Sequence, residues 1–360
     1  MARYVIARRL SVGLMSATLA LTAGCGGWPL GYIPSVVIGE LAFLGRRVPV
    51  EWALNDPTLS EEQKDKLAFL LRARDYCRDV VGLEVGNNFQ TFVNLHGQAL
   101  AWNLTASRKD AITPYYWYVP FAGPLPYLGF FNLDKAFSEK DRLVAAGYDT
   151  FMYEVDAFAI PFLPDPMTSR LLERSYGTLA DTVAHELTHN TVMSMKDITF
   201  SESLAVFVGR TVAVEFLAVE FGQDSPLIRE TLEAYEDDDV FRLFLRDLTE
   251  ELNDLYGSDL SSEQKIAARV GVFEAWRRRF AEEALPLMHF PEDYHAYTEN
   301  LLNNAFLVVD RRYYSNQRLF EQAFELVGRD WSRALDLFSA AANSDNPMQY
   351  LEDVVNGDNP

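Results

Sequence analysis

The sequence predicts an α+β fold, with short strands in the amino-terminal half, a central helix carrying the chemistry and a largely helical carboxy-terminal lobe. Three observations predict it. Residues 89–131 are rich in β-branched and aromatic residues and are broken by Gly, Pro, Asn and Ser, the pattern of short strands. Thr182–Leu204 carries H-E-x-x-H on a helix, with His185, Glu186 and His189. After Gly222 the apolar spacing is mostly helical to about Ala342. A chain of 360 residues, 49% hydrophobic, can bury a substantial core as one large domain or two packed lobes.

In chain order, residues 1–24 hold Arg3, Arg8 and Arg9 and then an apolar run from Leu10 to Ala23. That run is too short for a permanent membrane span, and small residues close it, so it reads as an export signal outside the fold. The ending L-T-A-G-C resembles a bacterial lipobox, with Leu21 four residues and Thr22 three residues before Cys25. Cys25 is then the lipidated first residue of the mature chain, held to the membrane by lipid alone through Gly26 and Gly27. No Asp follows it, which points to the outer membrane, facing the periplasm. Ordinary secretion is the alternative. Cys77 is the only other cysteine and reads as a buried structural thiol. A net charge of −20 argues against nucleic acid and against binding anionic lipid through overall charge.

Ser60 and Gln63 have capping-box spacing and open a helix to about Val81, with Leu67, Leu70, Leu71 and Tyr76 for its core face. T-F-V-N-L, A-L-A-W-N-L and P-Y-Y-W-Y-V-P read as strands, and the aromatics of Tyr115–Tyr118 as core rather than substrate platform. A helix is expected over Asp134–Gly147, a strand over Tyr148–Phe158 and a turn-rich passage over Pro161–Met167. Such a sheet offers an edge strand to an extended peptide. E-D-D-D at Glu236–Asp239 reads as a solvated face or a helix start. Ser261 and Gln264 repeat the capping box, and Arg277–Arg279 can pair with the acidic surface. His289 and His295 read as ordinary loop residues.

His185 and His189 lie one helical turn apart on one face, the spacing at which two imidazoles hold one Zn²⁺. Glu186 is about 100° around the axis, placed as a general base beside the metal. A catalytic site needs a third protein ligand. Glu202 follows His189 by thirteen residues and would start a second helix, Glu202–Phe221, facing the pair. Thr199-x-x-Glu202 is also capping-box spacing, which would give Glu202 a purely structural task. Asp181, one turn before His185, orients that imidazole or is a surface acid. Peptide hydrolysis builds an oxyanion that a Tyr can stabilise. Tyr313 is the candidate, with core packing of the Tyr313–Tyr314 pair as the alternative.

Together these features predict a zincin-like metallopeptidase with one Zn²⁺ per chain and a peptide substrate. Residues 26–222 would form the catalytic region and 223–360 a helical lobe closing the cleft. A non-catalytic envelope lipoprotein on the same fold and a zinc endopeptidase are the alternatives.

Several segments resemble the bacterial putative aminopeptidase family of lipoprotein zinc peptidases. They are A-W-N-L-T-A-S (Ala101–Ser107), Y-L-G-F-F (Tyr127–Phe131), A-G-Y-D (Ala146–Asp149), D-A-F-A-I-P-F-L-P-D-P (Asp156–Pro166), H-E-L-T-H, F-S-E-S-L-A-V-F-V-G (Phe200–Gly209) and L-N-N-A (Leu302–Ala305). The resemblance covers nearly the whole mature chain. It implies an export-anchored zinc peptidase with Glu202 as third ligand. Y-L-G-F-F stands where the family usually has R-G-Y-F, and D-A-F-A-I-P-F where it has S-T-L-G-W-F. No G-x-M-E-N motif, which grips a free amine in other zinc aminopeptidases, is present.

Overall fold

The structure is a computed structural model and describes residues 32–119, 123–155, 166–194, 196–299, 302–313 and 316–357, without the side chains of residues 312 and 313. The expected leader, the lipidation site Cys25 and most of the turn-rich passage before the H-E-x-x-H helix lie outside them.

The fold is mixed α+β and mostly helical, and among the described residues every strand precedes the H-E-x-x-H helix. Helix α1 (Tyr32–Leu44) leads to β1 (Val48–Pro49) and the single turn α2 (Val50–Ala53). α3 (Glu61–Tyr76) starts at Ser60, whose side chain accepts from Gln63 N while Gln63 answers the Ser60 N–H. A wider, π-type turn carries it to Val81. Leu67, Phe69, Leu70 and Ala73 are its buried face, and Cys77 is buried behind them. Burial pushes the Cys77 thiol up to about 12, so it is inert, as a structural cysteine should be.

The strands are shorter than their composition suggests. β2 (Thr91–Val93) pairs antiparallel with β1 and parallel with β8 (Met167–Thr168). β3 (Ala101–Ser107) is the centre of a second sheet, antiparallel to β6 (Leu128–Phe130) and to β7 (Asp149–Val155). β4 (Trp117–Val119) and β5 (Gly123–Leu125) form a hairpin. Here the aromatic run divides. Trp117 is buried and donates Nε1–H to Glu139 (2.7 Å), whereas Tyr118 is 69% exposed. Successive side chains of a strand point to opposite faces, and only the Trp117 and Val119 face of this two-stranded hairpin packs against the core. Helix α4 (Leu133–Ala145), capped by Asn132, covers the second sheet.

α5 (Tyr176–Thr191) begins at Ser175 and α6 (Ile198–Phe221) at Asp197, whose carboxylate accepts from Phe200 N (3.0 Å). α7 (Pro226–Gly257) and α8 (Ser262–Arg279, with the expected capping box at Ser261) follow. α9 (Asn304–Tyr313), α10 (Gln317–Leu326), α11 (Trp331–Asn343) and α12 (Pro347–Asn356) complete the chain. α10–α12 share one hydrophobic core with α3, α5 and α6, while α7, α8 and α9 form another.

E-D-D-D is a solvated face only at Glu236 and Asp239, and it is not a helix start. It lies in the middle of α7, and two of its acids turn inward. Asp237 is 2% exposed and accepts from the backbone N–H groups of His289 and Phe290 (2.9 and 2.7 Å). Asp238 accepts from Arg210, Arg242 and the Tyr294 hydroxyl. A long helix wedged between neighbours buries charge on one side, provided each buried charge finds donors.

Candidate metal centre

Helix α5 has two faces set by its sequence. Leu179, Ala180, Val183, Ala184, Leu187 and Thr188 are buried in the core, so the side opposite, with Asp181 and His185, faces a cleft. Thr188 and Thr191 return their hydroxyls to backbone carbonyls four residues earlier and leave no polar group unsatisfied on the packed side.

The turn into α6 is closed by serines. Ser194 N donates to Ser201 Oγ (2.9 Å), and Ser194 Oγ accepts from Asp197 N (3.3 Å). Asp197 caps α6, so the helix starts four residues earlier than the sequence suggested. Glu202 therefore lies more than a full turn inside, free of the capping role that its spacing from Thr199 allowed, and is brought back towards the His pair.

His185 Nε2 and His189 Nε2 are 3.3 Å apart, and Glu202 Oε2 is 3.5 Å from each. The three residues form a group with ligand atoms all within 4.8 Å of one another, able to hold a metal ion. Each side chain is about one-fifth exposed or less. Burial works against the Glu202 carboxylate, yet the two imidazoles hold its pKa at about 2. Burial also works against a charged His185, but Glu202, Glu186 and Asp181 outweigh it and raise its pKa. His189 Nδ1 is buried with no hydrogen-bond partner among the described residues.

Behind His185 is a network that the sequence did not reveal. Asp181 accepts from the Tyr235 hydroxyl (3.0 Å), Arg210 lies over the Tyr235 ring (4.6 Å), and Arg210 Nη2 bonds Asp238 (2.6 Å). Burial raises the Asp181 pKa against the pull of His185 and Arg210. Asp181 is thus tied into three helices rather than being a surface acid. Gly209 makes this possible. A Cβ there would strike the Asp181 carboxylate, so only glycine admits it between α5 and α6. The legible signal was a glycine inside a helix of large residues, which ordinarily weakens a helix. Asp181, Thr182, His185, Glu186, Val206, Arg210 and Asp238 line a cleft of about 300 Å³.

Other candidates fall elsewhere. Tyr313 ends α9, and its side chain lies outside the described residues. Four residues on, Gln317 donates to the Ser203 carbonyl (2.9 Å), next to Glu202. His289 faces Glu236 (3.2 Å) and neither it nor His295 belongs to the metal-capable group.

A family described as putative aminopeptidase matches residues 31–348. The chain belongs to the putative aminopeptidase family. Membership supports a peptidase, with peptides as substrates. No curated protein and no solved structure matches the chain. The segments that carried the resemblance take structural meaning here. F-S-E-S-L-A-V-F-V-G runs from the α6 cap region, through Glu202, to Gly209. A-G-Y-D ends in Asp149, which accepts from both Arg269 Nη atoms and from Asn304 N. L-N-N-A supplies Asn303, which donates to the Thr150 carbonyl (3.0 Å), and Asn304, which donates to the Arg108 carbonyl (2.9 Å). Those contacts fix α9 across β3 and β7.

Proposed function

We propose that this member of the aminopeptidase family is a zinc-dependent peptidase of zincin-like fold, acting as an aminopeptidase. We further infer that it is exported and anchored by lipid at Cys25 to the outer membrane, facing the periplasm. The observation that carries the catalytic reading is the spacing of the three ligand atoms. Bonds of about 2.0–2.2 Å at tetrahedral angles separate ligand atoms by about 3.3–3.5 Å. The separations are 3.3, 3.5 and 3.5 Å. Two His and one Glu leave a fourth position open, as a catalytic site requires. The low pKa of Glu202 keeps it an anion over the physiological range.

Bound zinc would supply Lewis acidity at the scissile carbonyl. The chain supplies the rest. Glu186 lines the cleft beside His185 without belonging to the ligand group. Its carboxylate takes a proton from the attacking water and returns it to the leaving amine. Asp181 orients His185, and α7, from the helical lobe beyond residue 222, contributes Asp238 to the cleft wall.

The test is a panel of peptides with free and acetylated amino termini, assayed with the zinc-loaded protein. Cleavage of the free peptides alone is expected. Cleavage of both would make it an endopeptidase, and cleavage of neither would leave a binding protein on an enzyme's fold.

A further inference from the structure

Helix α1 is built the wrong way round for a surface helix in water. Its exposed residues are Pro34, Val37, Ile38, Leu41 and Ala42, which fall at i, i+3, i+4, i+7 and i+8 and form one continuous stripe. Ile38 and Leu41 are 67% and 65% exposed. The only charged residue of the helix, Glu40, is on the buried side. A surface helix ordinarily places its polar residues outward. Folding is not the cause, because the opposite side already docks the helix. Tyr32 donates to the Gly129 carbonyl (3.0 Å), its ring packs edge-on to Phe130, and Phe43 is buried.

We propose that this stripe lies in the headgroup–acyl boundary of the membrane to which the chain is tethered. The proposal rests on lipidation of Cys25 and is independent of the metal reading. Seven residues from Cys25 to Tyr32 reach at most about 25 Å, so a lipidated Cys25 keeps α1 at the bilayer. The local charge suits that position. Between Tyr32 and Val50 the sequence carries Arg46 and Arg47 just past the stripe and no acid except the buried Glu40, in a chain whose net charge is −20. Arg46 is exposed and can meet lipid phosphate. α1 cannot span the bilayer, and among the described residues no helix is long and apolar enough to do so. It can lie in the interface plane, as amphipathic anchors do.

The chemistry of the cysteines makes the test direct. Lipid blocks Cys25 and burial protects Cys77, so a single introduced cysteine takes a fluorescent probe. The lipidated protein is reconstituted into vesicles of phosphatidylethanolamine and phosphatidylglycerol, with the probe at Ile38→Cys or, as a distant exposed control, at Leu287→Cys. Spin-labelled lipid should quench the Ile38 probe at least about two-fold more than the control, as expected for a side chain at the acyl boundary. Equal quenching at both positions overturns the proposal. In a Cys25→Ser chain, Ile38→Asp with Leu41→Asp should lower vesicle partitioning about ten-fold while metal content and melting temperature hold. Unchanged partitioning overturns it. So does a dimer in lipid-free solution that the double variant splits, since the stripe would then face a second copy. An amino-terminal peptide whose mass shows no lipid also overturns it, by removing the tether.

Discussion

Two polar clusters in this protein are both shielded from solvent, and they are built on opposite plans. At Asp149 the plan is closure. Arg269 donates to both carboxylate oxygens, Asn304 N adds a third bond, and the Tyr256 hydroxyl bonds Asn304 Oδ1. Every charge has its partner, and three distant segments are locked together. At His185, His189 and Glu202 the plan is convergence. Three ligand atoms point at one volume, and His189 Nδ1 has no hydrogen-bond partner among the described residues. Closed networks of this kind hold folds together, whereas converging donors are arranged for something that binds. Both clusters fall in segments that carry the resemblance, and only one of them is arranged to hold an ion.

The comparison can be broken most sharply at Glu186. Glu186→Gln removes the proton carrier but none of the ligands. Peptidase activity should fall by about 10²–10⁴-fold with metal content unchanged. Activity within a few-fold of wild type would remove Glu186 from catalysis.

The closed cluster should respond in the reverse sense. Arg269→Ala strands the Asp149 carboxylate, which is 7% exposed, at a cost of about 3–5 kcal/mol. The melting temperature should drop steeply while folded protein still takes up its metal. Lost metal with an unchanged melting temperature would mean that this clamp serves the site after all.

Asp181 sharpens the boundary between the two plans. Asp181→Asn should weaken metal affinity about 10–100-fold, read by chelator competition, with little loss of stability. Gly209→Ala should give the same loss, because its Cβ needs the space of the same carboxylate. Wild-type metal affinity in both variants would return Asp181 to a packing role.

The smallest expected effect is on pH dependence. Burial holds the Asp310 carboxyl at about 6, against the pull of Arg242 and with help from Asp238. The group's ordinary value is 3.8. Between those values the folded chain keeps a proton that the unfolded chain has lost, so stability falls as pH rises through that window. Asp310→Asn should therefore melt above wild type near about pH 7, by no more than about 2 kcal/mol, and match it near about pH 4. An identical melting temperature near both would show that the carboxyl is not strained.

What the sequence made legible follows the same division. His185 and His189 are one turn apart on one helix, so their geometry is a local matter of period. Ser60 and Ser261 cap their helices because a capping box needs only four residues. Glu202 was legible as a candidate ligand but not free of its capping alternative until Asp197 appeared at the cap. Asp181, Tyr235, Arg210 and Asp238 come from three helices, and nothing in their spacing announces that they meet. E-D-D-D misled in part for the same reason: Asp237 is satisfied by a backbone turn, and Asp238 by Arg210 and Tyr294, all far away in sequence. The aromatics of Tyr115–Tyr118 misled by half because alternate residues face opposite sides: Tyr115 and Trp117 pack in the core, while Tyr116 and Tyr118 are exposed.

The central claim is that His185, His189 and Glu202 hold one zinc ion. The most direct measurement is elemental analysis of the purified protein beside Glu202→Ala and His185→Ala. The account predicts about one zinc per chain in the wild type, none in His185→Ala and a strongly weakened site in Glu202→Ala. Wild-type protein that takes up no zinc when supplied with it, or Glu202→Ala that retains zinc at full affinity, would contradict it.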